Sequence, residues 1–210
     1  MKLTKYKHAC FTLEIDGELL VVDPGELSTD FDVTSNILAV VVTHEHTDHF
    51  STDNLAAIFA KNPDSLLLST SEVIAKMPNH NSQIVIPGEQ VDVGPFHLDF
   101  YGGTHATVHT SIPVIDNIAI MINNTLYYPG DSFYQPAIAV DTLAVPLGAP
   151  WLKTSESIDF LVSLKPRLAF PTHDETLSID GKGFANRLIT HFANENEIKY
   201  SDIHGIPIEL

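Results

Sequence analysis

Six consecutive apolar residues, Ile37–Val42, run straight into Thr43-His44-Glu45-His46-Thr47-Asp48-His49. A strand sends successive side chains to opposite faces, so an unbroken apolar strand needs cover on both. This excludes a sheet with one face in water and demands layers on either side of the strand. The polar turn that ends it brings three histidines and an aspartate together at the edge of the core. Imidazole and carboxylate are the donors that zinc, iron and manganese accept.

The rest of the chain supplies the layers. Residues 2–7, 10–15 and 18–22 read as strands, the last two joined at Asp16-Gly17, a dipeptide suited to a two-residue hairpin. Further strands are expected at 65–69, 83–86, 97–101, 117–122, 125–128, 142–145 and 167–170, with an edge strand at 206–210. Helical spacing puts Leu55, Ile58 and Phe59 on one face behind a Ser51 or Thr52 cap. It does the same for Ile158, Leu161 and Val162 behind Thr154 and Ser155, and for Phe184, Ala185, Leu188, Ile189 and Phe192. Early hairpins followed by strand–helix alternation suit two sheets packed face to face, with helices outside. No Ser/Gly-rich linker divides the 210 residues, so we expect one α/β domain over 1–210.

The balance of 27 acidic against 11 basic residues gives a net charge of −16. Such a surface disfavours nucleic acid as a partner. It leaves room for a small-molecule substrate, an anionic one included, because bound divalent cations reverse the local sign of a site. No apolar run is long enough for a membrane span and the N-terminal ten residues hold no signal-peptide core. The single cysteine, Cys10, excludes an intrachain disulfide. A cytoplasmic protein without a membrane partner, compatible with a homo-oligomer, is the expectation.

Four donors from one loop do not complete two metal sites. Three more places put a donor just past a strand: Tyr128-Pro129-Gly130-Asp131-Ser132, Phe170-Pro171-Thr172-His173-Asp174 and Gly102-Gly103-Thr104-His105. The last continues to a second histidine, His109; His105 follows its strand more directly and is preferred, with His109 left to the substrate side or to support.

Together these residues resemble the metallo-β-lactamase superfamily. His44, His46, Asp48 and His49 match its HxHxDH pattern. Asp23, in Val21-Val22-Asp23-Pro24-Gly25, matches the aspartate that ends an early strand. His105, Asp131 and His173 follow in the family's order. Within the superfamily the chain is similar to small bacterial proteins related to tRNase Z and L-ascorbate-6-phosphate lactonase, without the arm that tRNase Z uses to clamp tRNA. The resemblance implies a four-layer αββα sandwich with two divalent metal ions at one edge, zinc first, with manganese or iron as alternatives. It implies that His44, His46 and His105 hold one ion, that Asp48, His49 and His173 hold the other, and that Asp131 bridges them. Asp48 and Asp131 would act in catalysis, and Asp23 would orient a histidine of the loop. Glu45 stands at a position the pattern leaves free.

The implied activity is hydrolysis by a metal-bridging hydroxide of a small-molecule ester, lactone or phosphodiester. Two other readings compete. One is a metal- or ligand-binding module without activity. The other is a di-iron redox protein on the same fold, whose relatives carry Glu where this chain has His46. Trp151 is expected to wall a pocket and Lys153 to meet an anion, with Phe133 and Tyr134 as further substrate contacts. His8 lies beside the first strand and resembles a family position near the metal edge. His80, His97, His191 and His204 read as surface or core residues, and Cys10 as a buried apolar one.

Overall fold

The computed structural model describes residues 1–210. Two seven-stranded sheets form its centre. The N-terminal sheet holds β1 (Lys2–Lys5), β2 (Phe11–Ile15), β3 (Glu18–Val22), β4 (Ile37–Val42), β5 (Leu66–Ser69) and β6 (Ser82–Ile84). The other holds β7 (Gln90–Val93), β8 (Phe96–Thr104), β9 (Asp116–Ile122), β10 (Leu126–Tyr128), β11 (Thr142–Pro146), β12 (Leu168–Thr172) and β13 (Lys199–Tyr200). A final strand, β14 (Ile208–Glu209), returns to pair with β1 at the edge of the N-terminal sheet. Helices α1 (Thr52–Lys61) and α2 (Ser71–Lys76) follow β4 and β5, while α3 (Thr154–Leu164) and α4 (Ile179–Glu195) follow β11 and β12.

The alternation of side chains along each strand sorts the core into three layers of contact. From β4, Ala39 and Val41 enter the cluster between the sheets, while Ile37, Val40 and Val42 join Leu55, Ile58 and Phe59 of α1 outside it. The second sheet repeats the arrangement. Ile118, Ile120 and Ile122 of β9 face inward, and Ala119 and Met121 face the cluster built on Phe160, Leu161 and Ile189 of α3 and α4. The fold is the αββα sandwich, and the unbroken apolar run of β4 is explained by burial on both faces.

Local chemistry sets the joints. Ile15 pairs with Glu18, so Asp16 (φ 52°) and Gly17 (φ 83°) form the two-residue hairpin turn, both in the left-handed region. Ser51 caps α1, its hydroxyl accepting from the Asn54 N–H at 3.3 Å. At α3 the cap is Lys153 rather than Thr154 or Ser155. Its backbone N–H donates to the Glu156 carboxylate three residues on, 2.6 Å away.

Other boundaries differ from expectation for physical reasons. The first strand stops at Lys5, because Tyr6 N–H bonds to the Cys10 carbonyl and closes a turn with His8 at φ 60°. β8 continues three residues beyond 101, since Gly102, Gly103 and Thr104 stay paired with Ile118, Asn117 and Asp116. α4 buries Ala185, Ile189 and Ala193 and leaves Phe184 exposed; the small residues bring the helix close to the sheet. The strand read at 83–86 sits at Ser82–Ile84, and Ile86 is exposed in the turn that follows. No helix of the chain is long and apolar enough to cross a membrane.

Candidate metal centre

Strand direction decides where the donors meet. β1 and β3 are each antiparallel to β2, and β3 and β4 are parallel, so all three of β1, β3 and β4 run the same way. In the other sheet β8 and β10 are each antiparallel to β9, and β10, β11 and β12 are parallel. The C-terminal ends of such strands are where open α/β sheets build ligand sites. His8, Asp23, the His44–His49 turn, His105, Asp131 and His173 all lie in segments just past those ends.

The donors form two adjacent groups. One is His44, His46, His105 and Asp131; the other is His8, Asp48, His49 and His173. In each, one nitrogen or oxygen per residue lies within 4.8 Å of all the others. Asp131 reaches both groups. Its Oδ2 lies 3.2 Å from His105 Nε2 and 3.1 Å from His173 Nε2, and its Oδ1 lies 3.1 Å from His49 Nε2. Asp48 Oδ2 lies 3.2 Å from His173 Nε2 and 3.0 Å from His8 Nε2. All seven residues anticipated from the sequence thus converge, and His8 joins them. His109 does not. It is exposed, and its ring is held in a local turn by Ser111, whose hydroxyl is 2.7 Å away and whose N–H donates to Nδ1.

Glycine geometry brings the loops this close. Gly130 has φ 59°, and a Cβ there would meet Asn117 Oδ1 at 2.3 Å; that same oxygen accepts the Asp131 N–H. A Cβ on Gly25 would meet the Asp48 carbonyl oxygen at 2.0 Å, so only glycine lets the segment after Asp23 pass the histidine turn.

The rings are oriented from behind. Asp23, fully buried, accepts from Thr43 N–H and hydroxyl, from Tyr128 OH and from His49 Nδ1–H, the last at 2.7 Å. The Thr43 hydroxyl spends its proton on Asp23, so its 3.0 Å contact with His44 is donated by His44 Nδ1–H. His105 Nδ1–H donates to the Ala106 carbonyl and His173 Nδ1–H to the Gly148 carbonyl. Each of these four rings therefore turns its Nε2 toward the centre, the nitrogen that a metal can take once it carries no proton.

The donors then face one another with too few partners. His44 Nε2, His49 Nε2, His173 Nε2 and Asp131 Oδ1 are buried without a hydrogen bond. An unpaired buried polar atom costs about 1–3 kcal/mol. Four of them at one point, all nitrogen and oxygen of ligand type, fit a cation and little else. Electrostatics agree. Burial alone would lower His173, but the Asp131 and Asp48 carboxylates outweigh it and raise it to about 9. Burial likewise opposes a charge on His49, yet Asp131 and Asp23 hold it well above its ordinary value. The metal-free centre thus keeps protons where a cation would sit, and metal uptake releases them.

Around the centre, Trp151 donates its indole N–H to Asp131 Oδ2 at 2.8 Å and packs edge-on against Phe133, ring centroids 5.2 Å apart. An open cleft of about 550 Å³ beside His105 is lined by Thr104, Ala106, Thr107, Ser132, Phe133 and Tyr134. Lys153 does not line it. It starts α3 and borders a separate apolar hollow with Leu152 and Phe184. Cys10 is fully buried, and burial pushes its thiol up, so it is an inert apolar residue. Sequence reasoning gave His8 little weight, on its place beside the first strand and its resemblance to a family position near the metal edge, and it expected Trp151 as a pocket wall without its bond to Asp131.

Comparison with known proteins agrees with this geometry. The family model described as beta-lactamase superfamily domain matches residues 2–173. Protein Rv0786c of Mycobacterium tuberculosis is 30% identical over 100% of this chain and 98% of its own. A UPF0173 metal-dependent hydrolase of Aeropyrum pernix is 26% identical over 85% of this chain and 84% of its own. Among solved structures, the metallo hydrolase Igni18 of Ignicoccus hospitalis superposes with a TM-score of 0.72 at 18% identity, covering 100% of this chain and 98% of that one. The metallo-beta-lactamase fold protein YhfI of Bacillus subtilis gives 0.73 at 16%, with 100% and 98% covered. A chain with this fold, this convergence of donors and this family match belongs to the metallo-β-lactamase superfamily of metal-dependent hydrolases.

Proposed function

We propose that the chain hydrolyses a small, uncharged ester or lactone at a centre of two divalent cations, zinc by preference. The observation that carries this reading is the set of four unpartnered buried donor atoms shared by two adjacent ligand groups. His44, His46 and His105 would hold one ion, and Asp48, His49 and His173 the other, with Asp131 common to both. Cations bound there would polarise a carbonyl oxygen and lower the pKa of a water, the chemistry that metal hydrolases share.

The chain's own residues supply the rest. Asp131 sets the spacing of the two groups, since one carboxylate oxygen faces His49 and the other faces His105 and His173. Asp48 is half-exposed at the opening, where a carboxylate can take up and pass on a proton. Phe133 and Trp151 exclude water from one side.

The cleft beside His105 has no Lys or Arg in its lining, and the neighbouring hollow is bordered by Val108, Ile112, Pro113 and Val114. A phosphate held away from the ions would find no cationic partner there. An uncharged acyl group with an apolar body fits better, which favours esters and lactones over phosphodiesters.

The test loads metal-free protein with Zn²⁺, Mn²⁺ or Fe²⁺, counts ions per chain, and measures hydrolysis of p-nitrophenyl esters, lactones and bis-p-nitrophenyl phosphate. We expect two ions per chain and roughly tenfold or greater preference in kcat/KM for the uncharged substrates, equivalent to about one good contact. Saturation at one ion removes the two-cation reading, and a preference for the phosphodiester removes the substrate class.

A further inference from the structure

We propose that His8 is a positioning residue for Asp48 and not a ligand, because its ring is fixed in the opposite tautomer from the other buried histidines of the centre. This rests on the two-cation reading above. By distance alone His8 qualifies as a ligand, since it shares a group with Asp48, His49 and His173. Hydrogen bonding separates it from them.

His44, His49, His105 and His173 each donate from Nδ1 and turn Nε2 inward. In His8 the Nδ1 accepts, from the backbone N–H of Glu175 at 3.3 Å. A neutral imidazole carries one N–H, so the proton is on Nε2. That N–H points at Asp48 Oδ2, 3.0 Å away. A protonated nitrogen has no lone pair to give a cation. It can only donate to Asp48, or to an anionic or carbonyl oxygen that approaches the same spot.

The backbone makes this arrangement rigid. His8 sits at φ 60°, a conformation uncommon for a non-glycine residue, inside the turn closed by Tyr6 and Cys10. Its carbonyl accepts the His173 N–H at 3.2 Å, so one segment after β12, from the other sheet, holds it at both ends: His173 on its backbone and Glu175 on its ring. The ring is wholly buried and lies against that of His173, centroids 4.2 Å apart. Behind it, the buried Lys5 ammonium reaches the Tyr6 carbonyl and the Asp174 carboxylate, tying the strand before the turn to the segment after His173. Asp48 itself has Oδ2 engaged by His8 and His173, and it is the most exposed carboxylate of the centre. Without His8 its side chain would lose the one neutral donor that keeps Oδ2 turned inward. Support of this kind is worth about ten- to a hundredfold in metal affinity.

Long-range ¹H–¹⁵N correlation spectra of ¹⁵N-histidine-labelled protein test the tautomer directly, with the His8 signals identified by their loss in His8→Gln. We expect His8 to be protonated on Nε2 both metal-free and Zn²⁺-loaded, while the four other buried rings carry Nδ1–H. In Zn²⁺ titrations, His8→Ala should still take up two ions, the one at Asp48, His49 and His173 roughly tenfold more weakly. His8→Gln, whose carboxamide N–H can reach a carboxylate, should recover most of that loss. A metal-shifted His8 Nε2, or an Nδ1–H tautomer, overturns the proposal in the wild-type protein whatever the variants do. So does His8→Ala binding both ions with unchanged affinity, or dropping to one ion without rescue by Gln. Wild-type protein that takes up no Zn²⁺ overturns the two-cation reading and this proposal with it. Failure of the proposal alone leaves the wild-type count at two.

Discussion

The two halves of the centre are built from the same donors but supported very differently. In the half formed by His8, Asp48, His49 and His173, all three rings are buried and each has a partner fixing its other nitrogen: Glu175 N–H, Asp23 and the Gly148 carbonyl. In the half formed by His44, His46 and His105, His46 is exposed, and its ring is held only by edge contacts with His44 and His105, centroids 4.8 and 4.7 Å away. Burial keeps His44 well below its ordinary value and lowers His46, so neither of these two rings has a proton to lose before it takes a cation. The first half is rigid and holds protons on His49 and His173 when metal-free; in the second, His44 and His46 are neutral and His46 is loosely held. Rigid support raises affinity, and the need to expel protons makes that affinity depend on pH.

Asp131 is the joint between the halves, and its removal should have the largest effect. Asp131→Asn keeps the shape of the side chain and removes its charge. The two groups then lose the carboxylate that both face, and repulsion between two cations is less compensated. We expect weaker binding of the second ion and a fall in turnover of at least roughly a hundredfold. The fold should persist, because the residue sits in an edge loop and the Asn117 bond to its backbone N–H is untouched. Turnover at saturating metal, with circular dichroism as a folding control, checks this. A folded, fully metallated Asp131→Asn protein with near-wild-type turnover would show that the halves work independently.

A smaller effect separates the halves from each other. Stepwise removal of Zn²⁺ by a chelator should empty the His46 half first at pH 8, with about a tenfold gap in dissociation constant. His46→Ala should reduce uptake to one ion per chain, and His49→Ala should in addition destabilise the protein, because buried Asp23 loses one of its four donors. Equal retention of the two ions across a chelator series would erase the asymmetry.

How much of this was legible in the sequence follows from distance along the chain. His44, His46, Asp48 and His49 are contiguous with a buried strand, so their convergence needs only one turn. Asp131 and His173 each follow a strand directly, and periodicity placed those strands. His105 and His109 were harder to separate, since both follow β8 within five residues; the choice depends on His105 N–H bonding to the Ile115 carbonyl, a contact made by the returning chain. His8 was placed near the metal edge only by resemblance, and its role was out of reach for a stronger reason. Its tautomer is set by Glu175, 167 residues away, across the gap between the two sheets. The same holds for Lys153, whose side chain was expected near an anion but which the start of α3 carries away from the cleft. Elements that escaped the reading, α2, β7 and β13, are short or half-exposed at sheet edges, where periodicity has too few residues to speak.

Trp151 gives the finest probe of the comparison, because it touches both halves. Its ring lies edge-on to His105 and to His173, with centroids 6.0 and 6.3 Å away, and its N–H reaches the Asp131 oxygen that both of those histidines also face. That oxygen carries the charge shared across the centre, so the indole N–H withdraws a little of its donor strength from whatever else it binds. Trp151→Phe removes the N–H and keeps an aromatic wall against Phe133. One hydrogen bond to a carboxylate in a partly open site is worth about 1 kcal/mol, or roughly a fivefold change. We expect turnover to fall by that amount while the ion count stays at two and thermal stability shifts little. The direction of the change in metal affinity is the informative part. If Asp131 Oδ2 is freed to bind more strongly, chelator resistance should rise in both halves together. If the indole instead holds the carboxylate in place, resistance should fall, and the fall should be larger for the His46 half, where His46 is held only by ring contacts. Chelator titrations of Trp151→Phe beside wild type read this directly, and unchanged affinity in both halves would confine Trp151 to a wall of the cleft.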